Sequence, residues 1–88
     1  MPRYIIERNV GNVSLADIEA AGRRSVEAQD AVEGIVWIKS YVSEAEGKVF
    51  CEYDAPSPEA IREHARLAGS PADNISEIKM EISPDMFR

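Results

Sequence analysis

A chain of 88 residues with 16 acidic and 10 basic side chains, net charge −6, has room for one two-layer core over residues 1–88 and none for a second domain. That charge argues against nonspecific nucleic-acid binding, which needs clustered Lys and Arg to displace phosphate counterions. One Cys rules out an internal disulfide and any zinc site built on two or more thiolates, and 44% apolar residues are too many for a disordered acidic tail.

The longest apolar run, Gly34-Ile35-Val36-Trp37-Ile38, is far short of the roughly 20 residues of a membrane span. The opening Met1-Pro2-Arg3-Tyr4-Ile5-Ile6-Glu7 lacks a signal-peptide core, so the expected setting is soluble and cytoplasmic, without a membrane partner.

Arg3 to Glu7 is β-rich and predicts a first strand before the turn-like Asn9-Val10-Gly11-Asn12. Ser14, with Asp17 three residues on, has the form of a helix cap. Leu15, Ile18, Gly22, Ser25, Val26 and Gln29 follow helical spacing to about Ala31. Gly22 inside that helix costs about 1 kcal/mol relative to Ala, which a close approach to the sheet would offset. Ile35 to Val42 predicts a second strand, Ser43 to Gly47 a hairpin loop and Lys48 to Tyr53 a third strand. Ser57-Pro58-Glu59 starts a second helix carrying Ile61, Ala65 and Ala68, which ends at Gly69 before Pro71. A last strand is expected over about Ile75 to Ile82, closed by Pro84.

The order βαββαβ implies an α+β, ferredoxin-like fold: a four-stranded antiparallel sheet with two helices on one face. Strict alternation places Tyr4, Ile6, Val36, Ile38, Val42, Val49, Cys51, Tyr53, Ile78 and Met80 toward the helices. The uncovered face then carries Ile5, Glu7, Trp37, Lys39, Tyr41, Phe50, Glu52, Glu77, Lys79 and Glu81. An apolar patch of Trp37, Tyr41, Phe50 and Ile5 is one that a monomer rarely leaves in water. Stacking of two such faces into a homodimer is the simplest use for it, with Trp37, Lys39, Tyr41, Phe50 and Glu52 as the ligand or dimer face. An RNA-binding sheet shares the element order. Glu52 within Gly47-Lys48-Val49-Phe50-Cys51-Glu52-Tyr53 and the acidic balance speak against it.

Groups capable of chemistry are few. His64 is the one imidazole; a metal site around it could draw only on Cys51, Glu7, Glu52 or Tyr41. A lone His on a helix stripe is more often a core residue bonded to a carbonyl, and a strand Cys more often a small core side chain. The charges around the open face read as cross-strand ion pairs. No nucleophile–base order, phosphate loop or paired-carboxylate signature stands out, so no catalytic residue is assigned.

Three stretches resemble one family: Trp37-Ile38-Lys39-Ser40-Tyr41-Val42, the block from Phe50 through Asp54-Ala55-Pro56-Ser57-Pro58-Glu59-Ala60-Ile61-Arg62-Glu63-His64-Ala65, and Ala68-Gly69-Ser70-Pro71-Ala72-Asp73. Pro2 to Arg8 is similar as well. The family comprises small bacterial proteins, a domain of unknown function typified by a nickel-binding member with a ferredoxin-like fold. The resemblance implies a homodimer and a site for nickel or another divalent metal using imidazole nitrogens, here His64 with Cys51 and Glu7. The family pattern on the second strand is Trp-x-His-Ser-Tyr, whereas this chain has Lys39 at the His position. A protonated amine is a poor metal ligand, so nickel binding is expected to be weak or absent. Lys39 could instead take the cation's place beside Glu7 or Glu52.

The leading expectation is therefore a non-enzymatic dimeric protein with an altered metal site. Two others stand beside it. One is a dimeric α/β-barrel enzyme of monooxygenase or isomerase type, with Tyr53, His64 and Cys51 acting in a cleft near His64. The other is an interaction module acting through the aromatic face.

Overall fold

Alternation on two strands sets the centre of the molecule. β1 (Arg3–Asn9) and β3 (Lys48–Asp54) pair antiparallel, Tyr4 opposite Tyr53 and Ile6 opposite Cys51, and turn these four side chains to one face. In the computed structural model, which describes residues 1–88, all four are buried and join Ile35, Ala55 and Ile61 in the core. β2 (Val36–Ser43) flanks β3 and β4 (Asn74–Ile78) flanks β1, for a sheet order β2-β3-β1-β4. With α1 (Leu15–Ala31) and α2 (Pro58–Ala68) on one face, this is the expected ferredoxin-like arrangement. No helix is long and apolar enough to cross a membrane.

Both helices begin as their sequences require. The amide of Asp17 donates to Ser14 Oγ at 3.1 Å, and the Ser14 amide donates back to the Asp17 carboxylate at 3.0 Å, a closed capping box. Ser57 Oγ accepts from the Ala60 amide, Pro58 opens α2, and Gly69 ends it with φ of 66°. On α2 the buried residues Ile61, His64, Ala65 and Ala68 follow i, i+3, i+4, i+7, so this helix seats fully on the core. α1 buries only Ala28 and turns Ala21, Gly22 and Ser25 toward a cleft in front of the sheet. Such short side chains cannot fill the space beneath it.

Two expectations about the faces are corrected. In β2 the register to β3 shifts by one residue between Trp37 and Lys39, Trp37 standing opposite Tyr53 and Lys39 opposite Glu52. This β-bulge breaks alternation, so Trp37 lies on the helix side with Tyr53, while Val36 and Ile38 are 46% and 37% exposed. Trp37 therefore leaves the open face to Lys39, Tyr41, Phe50 and Glu52. In β4, Ile75 stands opposite Ile6 and Ile78 opposite Arg3. Ile78 thus lies on the open face and Glu77 on the helix side, where it accepts from the Tyr4 hydroxyl at 3.3 Å. The strand ends at Ile78 rather than Ile82, leaving Met80 exposed and outside the sheet, and Lys79 and Glu81 off its face. Residues Pro84–Phe87 form a short 3-10 turn.

Gly22 approaches Trp37 less closely than expected. A Cβ there would sit 3.9 Å from Trp37 Cη2, an ordinary contact. Gly22→Ala is therefore expected to stabilise the helix by about 0.5–1 kcal/mol. In a thermal melt that is a rise of roughly 2–8 °C; a fall would mean that the close packing of α1 has been misjudged.

Candidate functional site

Between α1 and the inward face of β1, β2 and β3 lies a cavity of about 120 Å³. Its polar wall is a chain of hydrogen bonds that the bulge makes possible. The Trp37 indole N–H donates to Ser40 Oγ at 2.9 Å, and the Ser40 hydroxyl donates to Cys51 Sγ at 2.8 Å. Arg8 Nε donates to the same sulfur at 3.4 Å. Arg8 follows Tyr4 and Ile6 on the inward parity of β1 and is 95% removed from solvent by its 5% exposure. Its other bond is from Nη1 to the Pro71 carbonyl, and its guanidinium carbon lies 6.0 Å from the Tyr53 ring centroid. β1 runs to Asn9, beyond the Glu7 that its sequence suggests, and so includes Arg8. The legible signal was a charged residue continuing the Tyr4, Ile6 parity.

Tyr53 also lines the cavity, and burial pushes its hydroxyl up to about 12, so it is neutral at ordinary pH. His64 lies behind it, fully buried, with the two rings edge to face at 5.1 Å. His64 Nε2–H donates to the Ser25 carbonyl at 2.9 Å, which leaves Nδ1 as a bare, buried nitrogen with no partner. Burial holds this imidazole below its usual pKa; the Ser25 carbonyl opposes that effect and the Arg8 charge adds to it. His64 does not line the cavity, so Tyr53, His64 and Cys51 do not meet around one space.

The expected metal ligands do not fit together either. Glu7 stands opposite Phe50 on the open face and pairs with Lys48 at 3.7 Å, while Cys51 and His64 lie on the helix side. Cys51 Sγ already accepts from Ser40 and Arg8, and one nitrogen of His64 is committed to Ser25. No three His, Cys, Asp or Glu side chains lie close enough to hold a metal ion. The separation has a simple cause: β1 residues of opposite parity face opposite ways, and Glu7 is one residue from Arg8.

On the open face Lys39 stands opposite Glu52, with its Nζ 5.7 Å from the Tyr41 ring centroid. The Tyr41 hydroxyl donates to Glu52 at 3.1 Å. Tyr41 first, then the charge of Glu52, hold the Lys39 ammonium above its ordinary pKa, so it is a cation at neutral pH. Glu52 rather than Glu7 is its neighbour.

A family model described as nickel responsive protein SCO4226-like matches residues 4–78. The solved structure of SCO4226 from Streptomyces coelicolor A3(2) superposes with a TM-score of 0.82. It is 20% identical, and the match covers 91% of this chain and 99% of that one. At that identity the likeness establishes the fold. No curated protein matches the chain.

The environment of His64 sets a sign for stability against pH. Its pKa is depressed in the fold from 6.5, so the unfolded chain binds the proton more tightly. Its contribution is fully present above pH 6.5 and is lost as pH falls through the lower folded value. Urea midpoints of the wild type are expected to fall between pH 7.5 and 5.5. His64→Gln should lose most of that dependence, because Asp17 and Glu63, held below 3.8 and 4.5, act only at lower pH. An unchanged slope in the variant would show that His64 does not carry it.

Proposed function

Because the chain belongs to the nickel responsive SCO4226-like family, we propose that it is a small homodimeric member, at work in the reducing cytoplasm, whose metal site is weakened by Lys39. One observation carries this reading: a protonated ammonium, held by Tyr41 and Glu52, stands at the position where the family resemblance implies an imidazole. The proton occupies the lone pair that would bind the metal, and the positive charge repels a dication. The lack of a three-ligand cluster within one chain points the same way, since a tight site would need donors from a second subunit. No metal-dependent step is assigned.

Support for the homodimer comes from the open face. No helix covers it, and Tyr41, Val36 and Ile38 are 50%, 46% and 37% exposed beside Ile5 and Phe50. The accessible surface is 5908 Å² for a mass of 9.8 kDa, against about 5,200 Å² for a typical monomer of that size. Arg3 and Lys39 share the face with Glu7, Glu52 and Asp54, so a twofold partner can set opposite charges against one another at the rim.

Nickel calorimetry checks the metal half of the proposal. Wild type should bind weakly or not at all, and Lys39→His should tighten binding by about tenfold or more, 1.4 kcal/mol. Tight wild-type binding that Lys39→His leaves unchanged would overturn it. Sedimentation equilibrium checks the dimer: the wild type should sediment as two chains, and Phe50→Asp, which places a charge at the centre of the face, should weaken association by about tenfold or more. A wild type that stays monomeric at high concentration would remove the dimer.

A further inference from the structure

Arg8 is a guanidinium withdrawn from water without an anion to balance it. The ion pairs of the structure use Arg3, Lys48, Arg66 and Arg88, never Arg8. Its partners are a carbonyl, the Cys51 sulfur and an aromatic ring, and no carboxylate is among them. A buried unpaired cation is costly, and a counter-charge brought by a ligand would relieve that cost. Arg8 also lines the cavity under α1, whose other walls are largely apolar, with Ile18, Ala21, Gly22, Trp37 and Val49 among them.

We propose that this cavity binds a small monocarboxylate with an apolar body, the carboxylate on the Arg8 guanidinium and the body against Ile18, Ala21, Trp37 and Val49. The cavity, about 120 Å³, is smaller than the roughly 150 Å³ of a closed cavity that accepts benzene but is open on one side, so it takes a short branched acid whole and a benzoate with part of its ring in the mouth. A single carboxylate charge balances the single buried cation, and its two oxygens match the planar fork of an arginine. Phosphate fits less well: at neutral pH it carries more charge than one guanidinium offsets, and no lysine lines the cavity. The one carboxylate on the wall, Asp17, belongs to an exposed residue and is engaged by the Ser14 amide at the start of α1, so it does not compensate Arg8. Entry is from the loop end of the cleft, where Val10, Val13, Ile18 and Val42 continue into an adjoining depression that reaches Leu15 and Lys48. The site does not rest on the metal reading, which turns on Lys39; of the expected metal ligands His64 and Glu7 do not line the cavity and Cys51 does.

The test uses the single tryptophan, which lies in the wall. Sodium benzoate is titrated against Trp37 fluorescence, with benzyl alcohol as the uncharged analogue and inorganic phosphate as the alternative anion. Saturable benzoate binding with a Kd of about 1 mM or tighter is expected, at least about tenfold tighter than for either control. Arg8→Gln should weaken it by about tenfold or more. Arg8→Lys, which keeps the charge without the fork, should recover it only in part. Gly22→Leu should abolish binding by filling the cavity. If Arg8→Gln fails to fold by circular dichroism, Arg8→Lys and the benzyl alcohol titration decide the matter. The proposal falls if benzoate does not saturate, if benzyl alcohol or phosphate binds as tightly, or if the Arg8 substitutions leave a folded protein with unchanged affinity.

Discussion

The one-residue bulge between Trp37 and Lys39 is the constraint on which the two faces of this sheet depend. Strict alternation would carry both residues to one side. An indole there would stand in water or an ammonium would lie in the cleft, and each is unfavourable. The bulge lets Trp37 turn inward to Ser40 while Lys39 stays outward beside Tyr41 and Glu52. One inserted residue thus creates the hydrogen-bonded wall of the cavity and the charged character of the open face together.

The two helices divide the inward face unequally. α2 places Ile61, His64, Ala65 and Ala68 on the core and closes it, with His64 spanning from the Tyr53 ring to the Ser25 carbonyl of α1. α1 presents Ala21, Gly22 and Ser25 over the other half of the sheet and leaves a gap there. Arg8 borders that gap, its charge unmatched by any acid of the chain. A fold that spends side-chain volume under one helix and withholds it under the other has kept a space it could have filled, since interiors otherwise pack to the density of organic crystals.

Much of the stretch from Asp54 to Ala65, within the matched residues 4–78, holds α2 in place. Ser57 caps it, Pro58 opens it, and Ile61, His64 and Ala65 are buried against the sheet. The block from Asp54 to Ala65 therefore reports a helix seated on a strand end. This explains how a chain can belong to a nickel responsive family while its own Cys51, Glu7 and His64 stay apart. The geometry of α2 is set by packing, which is indifferent to the residue at position 39 on the opposite face.

From the sequence alone, the element order, the helix α1 over Leu15–Ala31, the start and stop of α2, and the assignment of Tyr4, Ile6, Cys51 and Tyr53 to the core were all legible. Each rests on a local rule: a cap, a proline, a left-handed glycine or a period of two or 3.6. What the tertiary structure decided is register and depth. The bulge at Ile38, the inward face of Ile75 rather than Ile78 and the cavity under α1 carry no local signature, and the inward turn of Arg8 shows only as parity with Tyr4 and Ile6. A shift of one residue changes little in a strand's own preferences yet reverses the face of every side chain beyond it, so only pairing with the neighbouring strands selects the outcome.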